Sequence, residues 1–381
     1  MTKQAAGSRL ATRIAFFVSG FGLACWAPLV PVAKSRLGIS DASLGLLLLC
    51  LGLGSVVAMQ LAGPLTSRLG AKPAVLAGGV GMTVALPFLS LAPSIWIMGA
   101  VLLVFGASLG VIEVGMNVHA VEVEKRAGRP LMSGFHGLFS VGGFVGATLM
   151  TLALSARVGA VLGTVLASAL MLAALLFAAS RLIVTPKVDD APAFVVPRGI
   201  VVLLALLTAI TFLTEGAILD WGALLLTSQN LVEPAQAGFG YSVFAVAMTA
   251  GRLTGDAVVS RLGDRKTMLV GGVLAIVGYL VLLTAPIAPI ALLGFLLIGL
   301  GASNTVPVLF RQAGAQSAMP PSLAVASVTT IGYAGILAGP AGIGFVAEAV
   351  GLPGAFWMLA GLVCLVPLSA AAATRSSDRA G

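Results

Sequence analysis

Apolar segments of about 20 residues, the length that crosses a bilayer's hydrocarbon core, recur along the whole chain. Short breaks rich in charge, Gly and Pro separate them. The segments fall near residues 12–33, 43–63, 73–92, 94–118, 131–154, 158–180, 199–226, 237–257, 267–285, 288–310, 322–346 and 351–373. This pattern predicts about twelve transmembrane helices, with very short turns at Pro93 and at Pro286–Pro289. The break at 181–198 is longer and more polar, holding Pro186, Pro192, Pro197, Asp189 and Asp190. It reads as a cytoplasmic linker between an N-terminal six-helix bundle (1–180) and a C-terminal one (199–381).

The two halves look duplicated. Ser67-Arg-Leu-Gly recurs 193 residues later at Ser260, after the second and eighth spans. Gly106-Ala-Ser recurs at Gly301, in the fourth and tenth spans, and Trp26 at Trp221, in the first and seventh, each 195 residues on. A parallel repeat of six helices implies two pseudo-symmetric bundles and alternating access by rocking about a central cavity.

Composition sharpens this reading. The 381 residues are 59% hydrophobic and only 9% charged, with a mean hydropathy of +1.10. A soluble core of this size needs more charge, so the chain reads as an all-α polytopic membrane protein. The net charge of +8 sits in the connections and forms no continuous basic face, which argues against nucleic acid as a partner. Cys25, Cys50 and Cys364 all lie in apolar segments and read as small buried residues, not as disulfides or metal ligands. Lys3, Arg9 and Arg13 precede an apolar run from Ile14 to Val32 that is long for a signal peptide, so it is taken as the first retained span. With this register nearly every Lys and Arg falls on one side. The other side holds only Lys34, Arg36 and Arg157, and Arg252 lies within a span. The positive-inside rule then places both termini in the cytoplasm.

Polar residues inside the spans carry the candidate chemistry, because a carboxyl at the bilayer centre costs roughly 2.5–3.5 kcal/mol on insertion scales. Gly106, Gly110, Glu113 and Asn117 share one helical face. Small residues there allow close packing, and Glu113 is the leading candidate for a proton- or substrate-binding group in a polar cavity. Asn117, one turn on, can serve the carboxyl, a substrate or a neighbouring helix. His136 lies on a face with Ser140, Gly143 and Ala147, either lining the cavity or packed between helices. His119 reads as a solvated end residue beside Glu122 and Glu124. Glu215 is favoured for the cavity, and Asp220, rotated by roughly 140° from it, for a gate contact. Trp26 and Trp221 either stack a sugar ring or anchor the membrane interface. Arg252 and Asp256, at i and i+4, suit a structural or gating ion pair along one helix. Asn304, after the second Gly-Ala-Ser, is a further cavity candidate. The glycines form no nucleotide cradle, and no cofactor or metal is expected.

The chain resembles the major facilitator superfamily over essentially its whole length. The loop signature between the second and third spans reads Gly63-Pro-Leu-Thr-Ser67-Arg68-Leu-Gly70-Ala-Lys72, with Ser67 where the family has Asp. The second copy, Ser260-Arg261-Leu-Gly263-Asp264-Arg265, has the same replacement. Arg68 and Lys72 remain as gate candidates. Within the superfamily three stretches are similar to the fucose-permease-like branch and to YbjJ-type bacterial inner-membrane permeases. These are Gly106-Ala-Ser-x-Gly-x-x-Glu113-x-x-x-Asn117, Phe135-His136-Gly137-x-Phe139-Ser140-x-Gly142 and Glu215-Gly216-x-x-x-Asp220-Trp221. The resemblance implies that Glu113 matches a proton-carrying glutamate of the fucose-type symporters. Their first-span aspartate has no counterpart, since no acid lies between Ala11 and Ala33.

Together these observations point to a monomeric secondary transporter, multi-pass in a bacterial inner membrane. It would move a small polar, sugar-like solute, with protons as coupling ion and the lipid bilayer as its solvent. Proton-driven efflux of a metabolite or drug is the alternative. A non-transporting sensor lacks a sizeable output segment, and an enzyme lacks any nucleophile–base motif.

Overall fold

The computed structural model describes residues 3–186, 196–233, 236 and 238–375, and every element among them is helical. In chain order these are α1 Lys3–Trp26, α2 Leu29–Leu37, α3 Asp41–Leu69, α4 Ala71–Leu91, α5 Ile95–Ala127, α6 Met132–Ser155, α7 Ala160–Ala179, α8 Ile200–Ser228, α9 Phe239–Leu283, α10 Ala288–Ala302, α11 Thr305–Ala315, α12 Pro321–Val363 and α13 Leu365–Ala373. Of the expected linker, residues 187–195, with Lys187, Asp189, Asp190 and Pro192, lie outside the described residues, as does Arg379.

Among the described residues 11 stretches are long and apolar enough to cross a membrane. One of them, α9, has 45 residues. At 1.5 Å per residue it would be about 68 Å long, more than twice a hydrocarbon core of about 30 Å. Gly263 divides it, with φ 76 and ψ 165, and the two pieces complete a set of twelve spans. Lipid accounts for the outer surface. Leu46, Leu49, Leu53, Val57, Leu61 and Leu65 form an exposed apolar stripe at helical spacing along α3, a face that only a hydrocarbon solvent tolerates.

Two compact units emerge. One comprises Met1–Arg129, Phe135–Val196 and Pro320–Ser327; the other Pro130–Gly134, Pro197–Met319 and Val328–Gly381. Each is held by glycine-mediated backbone contacts. A methyl group at Gly106 of α5 would lie 2.0 Å from the Leu51 carbonyl oxygen of α3, and one at Gly299 of α10 would lie 2.5 Å from that of Phe244 of α9. The second pair is the first shifted by 193 residues. The same shift relates Gly78 against Ser108 O to Gly271 against Gly301 O. The packing repeat therefore follows the Ser-Arg-Leu-Gly offset. Gly301, which matches Gly106 in letters, occupies the place of Ser108.

The repeated Ser-Arg-Leu-Gly has a backbone reason. Gly70 (φ 89, ψ 167) and Gly263 (φ 76, ψ 165) adopt one conformation, as does Gly351 (φ 77, ψ 160), and each joins two spans through a single residue. This region is essentially closed to residues with a Cβ. No atom lies within 4 Å of a Cβ built on Gly263, so Gly263→Ala tests the backbone alone. It should lower stability by about 1–3 kcal/mol in detergent-solubilised thermal or denaturant unfolding. Gly361→Ala, with equally open space but inside a helix, should be neutral or stabilising. Equal losses for both would remove the hinge explanation.

Candidate functional site

In the first unit the candidate residues gather around α1. Helix α1 packs against α6 so closely that a methyl at Gly142 would lie 2.2 Å from the Phe17 carbonyl oxygen. This approach brings the neighbouring α1 side chains onto both candidates. Ser19, fully buried, donates its hydroxyl to Glu113 Oε1 at 2.8 Å. One turn earlier, Phe16 meets the His136 ring edge-to-face at 5.1 Å. Glu113 is 5% exposed, so it faces protein, not lipid. Asn117 donates Nδ2 to the Glu113 backbone carbonyl at 2.9 Å. Its own Oδ1 is buried and has no hydrogen-bond partner among the described residues. His136 is buried, and its carbonyl accepts from Ser140 Oγ at 3.4 Å. Trp26 ends α1, buried, with its indole N–H unpartnered among the described residues.

His119 corrects the sequence reading. It is not a solvated end residue but fully buried. Its Nε2 accepts the backbone N–H of Ile183 at 3.0 Å, and its Nδ1 lies 3.1 Å from Thr12 Oγ1. An Nε2 that accepts leaves the proton on Nδ1, which donates to Thr12. The Thr12 hydroxyl in turn donates to Ser8 O at 2.8 Å. His119 thereby ties α1, α5 and the chain leaving α7 into one network. Nothing in its local sequence shows this, because its partners lie 107 and 64 residues away.

In the second unit the centre is an interhelical ion pair. Arg252 of α9 donates Nη2 to Glu215 Oε1 of α8 at 2.9 Å, with both side chains largely shielded from solvent. The structure gives Arg252 this partner on another helix, and Asp256 Oδ1 accepts the Gly134 backbone N–H at 3.1 Å. Tyr241, eleven residues before Arg252 and so on the same face of α9, lies within electrostatic reach of Glu215, Arg252 and Asp220. It was not singled out from the sequence; the i, i+11 spacing from Arg252 was the available signal. Asp220 is exposed. Trp221 faces Gly344, where a methyl group would lie 3.3 Å from its ring, and its indole N–H has no partner among the described residues.

Asn304 sits in the break between α10 and α11 and donates Nδ2 to Gly251 O at 3.2 Å and to Ser303 Oγ at 3.0 Å. These bonds join α9 to the α10–α11 segment. At the Ser-Arg-Leu-Gly positions, Arg68 is exposed, Lys72 is half-buried and Ser67 is fully buried. In the second copy Asp264, just past Gly263, accepts from Arg311 and, at 2.6 Å, from Gln312 Nε2. A carboxylate is thus present at this loop, one residue beyond the hinge glycine, and it is held by α11.

The chain can now be placed among known proteins. Residues 13–207 match the family model for the Major Facilitator Superfamily. An uncharacterised MFS-type transporter of Yersinia pestis is 48% identical over 96% of both chains. The membrane protein MosC of Rhizobium meliloti is 30% identical over 88% of this chain and 83% of its own. Among solved structures, the fucose:proton symporter of E. coli superposes with a TM-score of 0.77 at 16% identity, covering 96% of this chain and 98% of that one. The human organic anion transporter MFSD10 gives 0.78 at 15%, covering 97% and 100%. At these identities the structures establish the fold, and the relatives establish the family. The chain belongs to the Major Facilitator Superfamily: it is a multi-pass membrane transporter, not an enzyme.

Proposed function

We propose that the protein is a secondary active transporter for a small polar, sugar-like solute, coupled to protons through Glu113, in a bacterial inner membrane with both termini cytoplasmic. The observation that carries this reading is the Ser19–Glu113 hydrogen bond inside an apolar span. An intramembrane carboxyl directed into a bundle is costly, and proton relays are a recurrent reason to keep one. A serine hydroxyl can donate to a carboxylate or accept from a carboxylic acid, so Glu113 keeps a partner in both protonation states. The fold match to the fucose:proton symporter of E. coli and to a proton:xylose symporter supports the same class. Asn117 Oδ1 and the Trp26 indole N–H supply an acceptor and a donor for a hydroxylated solute. His136 and Asn304 are the remaining ligand candidates.

Within the second unit, Glu215 and Arg252, with Tyr241 and Trp221, are the proposed functional group. Asp220, Asp256, Arg68 and Lys72 are proposed as gate residues. The guanidinium holds the Glu215 carboxylate within the second unit, and we assign the proton-coupling role to Glu113 of the first.

Two outcomes test this. In proteoliposomes, an inward proton gradient should drive uphill uptake of the solute found by thermal-shift screening of sugars and polyols. Glu113→Gln should abolish that accumulation while sparing counterflow exchange. Unchanged pH-driven accumulation by the variant would end the proton role, and a gradient that drives solute outward in exchange for protons would favour efflux. For the ion pair, Arg252→Gln strands the Glu215 carboxylate and should cost roughly 3–5 kcal/mol in detergent unfolding. The Glu215→Gln/Arg252→Gln double variant should recover most of that loss, and strictly additive losses would contradict the pairing.

A further inference from the structure

A pocket outside the transport site remains to be explained. It has a volume of about 410 Å³ and is lined by Gly7 of α1, Arg126 of α5 and Ser180–Val184, the segment leaving α7. That segment is strapped onto the first unit. Besides the Ile183–His119 bond, Val184 O accepts from Arg126 Nη2 at 3.0 Å, and Thr185 Oγ1 accepts the Ala71 backbone N–H at 2.8 Å. The strap makes the pocket a formed feature of the first unit.

Its walls are cationic. Arg126 is held by Glu122 Oε1 at 2.6 Å as well as by Val184 O, yet its side chain is 49% exposed. Arg181 donates Nη1 to Phe177 O and to Ser180 Oγ, and its guanidinium carbon lies 3.8 Å over the Phe177 ring. A guanidinium carries five N–H groups in a fork that matches phosphate oxygens, so both arginines retain donors beyond these named bonds. Arg9, two residues past Gly7, adds to the positive field, lying in coulombic contact with Arg129 and Arg13.

The rim is apolar. Val184 is 69% exposed, and Leu10, Leu176 and Phe177, each one turn from a pocket residue, are exposed as well. These belong to the hydrocarbon-facing surface of α1 and α7. A basic pocket whose lip continues into a lipid-facing wall fits a ligand with an anionic head and apolar tails. We propose that this pocket binds the phosphate headgroup of an anionic phospholipid, with its acyl chains lying along the Leu10, Leu176 and Phe177 surface. The occupant is a lipid and not a free anion because the cationic pocket opens directly onto a hydrocarbon-facing wall, so one molecule with an anionic head and apolar tails meets both.

The test is native mass spectrometry of the purified full chain with phosphatidylglycerol, cardiolipin and phosphatidylcholine, alongside thermal unfolding with the same lipids and with inorganic phosphate. The wild type should retain the anionic lipids in preference to phosphatidylcholine and gain thermal stability from them. Each guanidinium removed should weaken retention about fivefold, the factor matching roughly 1 kcal/mol per cation near a membrane surface. Arg126→Gln/Arg181→Gln should therefore lose the preference. Arg181→Gln, whose named bonds lie within its own helix end, provides a folded single variant if the double one is unstable, and Arg181→Lys should keep most of the binding. An unchanged preference in Arg181→Gln would overturn the proposal. So would stabilisation by inorganic phosphate equal to that by phosphatidylglycerol, which would mark a soluble-anion site.

Discussion

Water is absent from the hydrocarbon layer, so every polar group in a span must find its partner within the protein. That constraint organises this chain. It makes all the described elements helical, and it brings helices close enough for a side chain on one to satisfy a group on another. The first unit meets it with hydroxyls and an imidazole: Ser19 on Glu113, Thr12 on His119, and Ser90 on Thr164 at 2.8 Å. The second meets it with charge: Arg252 on Glu215, and Arg311 and Gln312 on Asp264. Close helix packing frames these pairings, and at several interfaces, such as α3–α5 and α1–α6, glycine supplies it where a methyl group would strike a backbone carbonyl.

Much of the fold was legible in the sequence because a bilayer forces a simple periodicity. Span length and short breaks needed no knowledge of tertiary contacts. The duplication was legible as well, but its register was ambiguous. Matching letters at Gly106 and Gly301 gave an offset of 195, whereas the backbone contacts at Gly106 and Gly299 repeat at 193. Close approach requires a missing side chain at the contact point, and neighbouring letters can drift while the contact stays. Ser-Arg-Leu-Gly kept the true offset because its glycine holds a backbone conformation that few residues can adopt.

The candidate site was legible only on one side of each pair. Glu113, His136 and Glu215 stood out as polar residues in apolar runs. Ser19 did not, and nothing tied Arg252 to Glu215. Ser19 is 94 residues from Glu113, and Arg252 is 37 from Glu215. A serine in a membrane helix most often bonds its own backbone, so nothing local separates Ser19 from the rest. Arg252 stood out as a cation inside a span, but its bond to Glu215 crosses to another helix, which no spacing along α9 reveals. His119 failed for a related reason. Two acids nearby in sequence suggested a solvated end, yet the residue is turned into the bundle and meets α1.

The two units repeat backbone contacts at one offset yet hold their buried carboxyls differently. A carboxyl held by a hydroxyl gains or loses a proton without stranding a charge, because the hydroxyl rotates to suit either state. One held by a guanidinium has a charged partner whose loss would strand the other charge in a medium of low dielectric. The proposed role follows from that difference: proton exchange belongs to the half built around Glu113, and the ion pair belongs to the half built around Glu215 and Arg252. Holding the hydroxyl-bonded carboxyl and the guanidinium-bonded one in separate units lets a change at one leave the packing of the other intact.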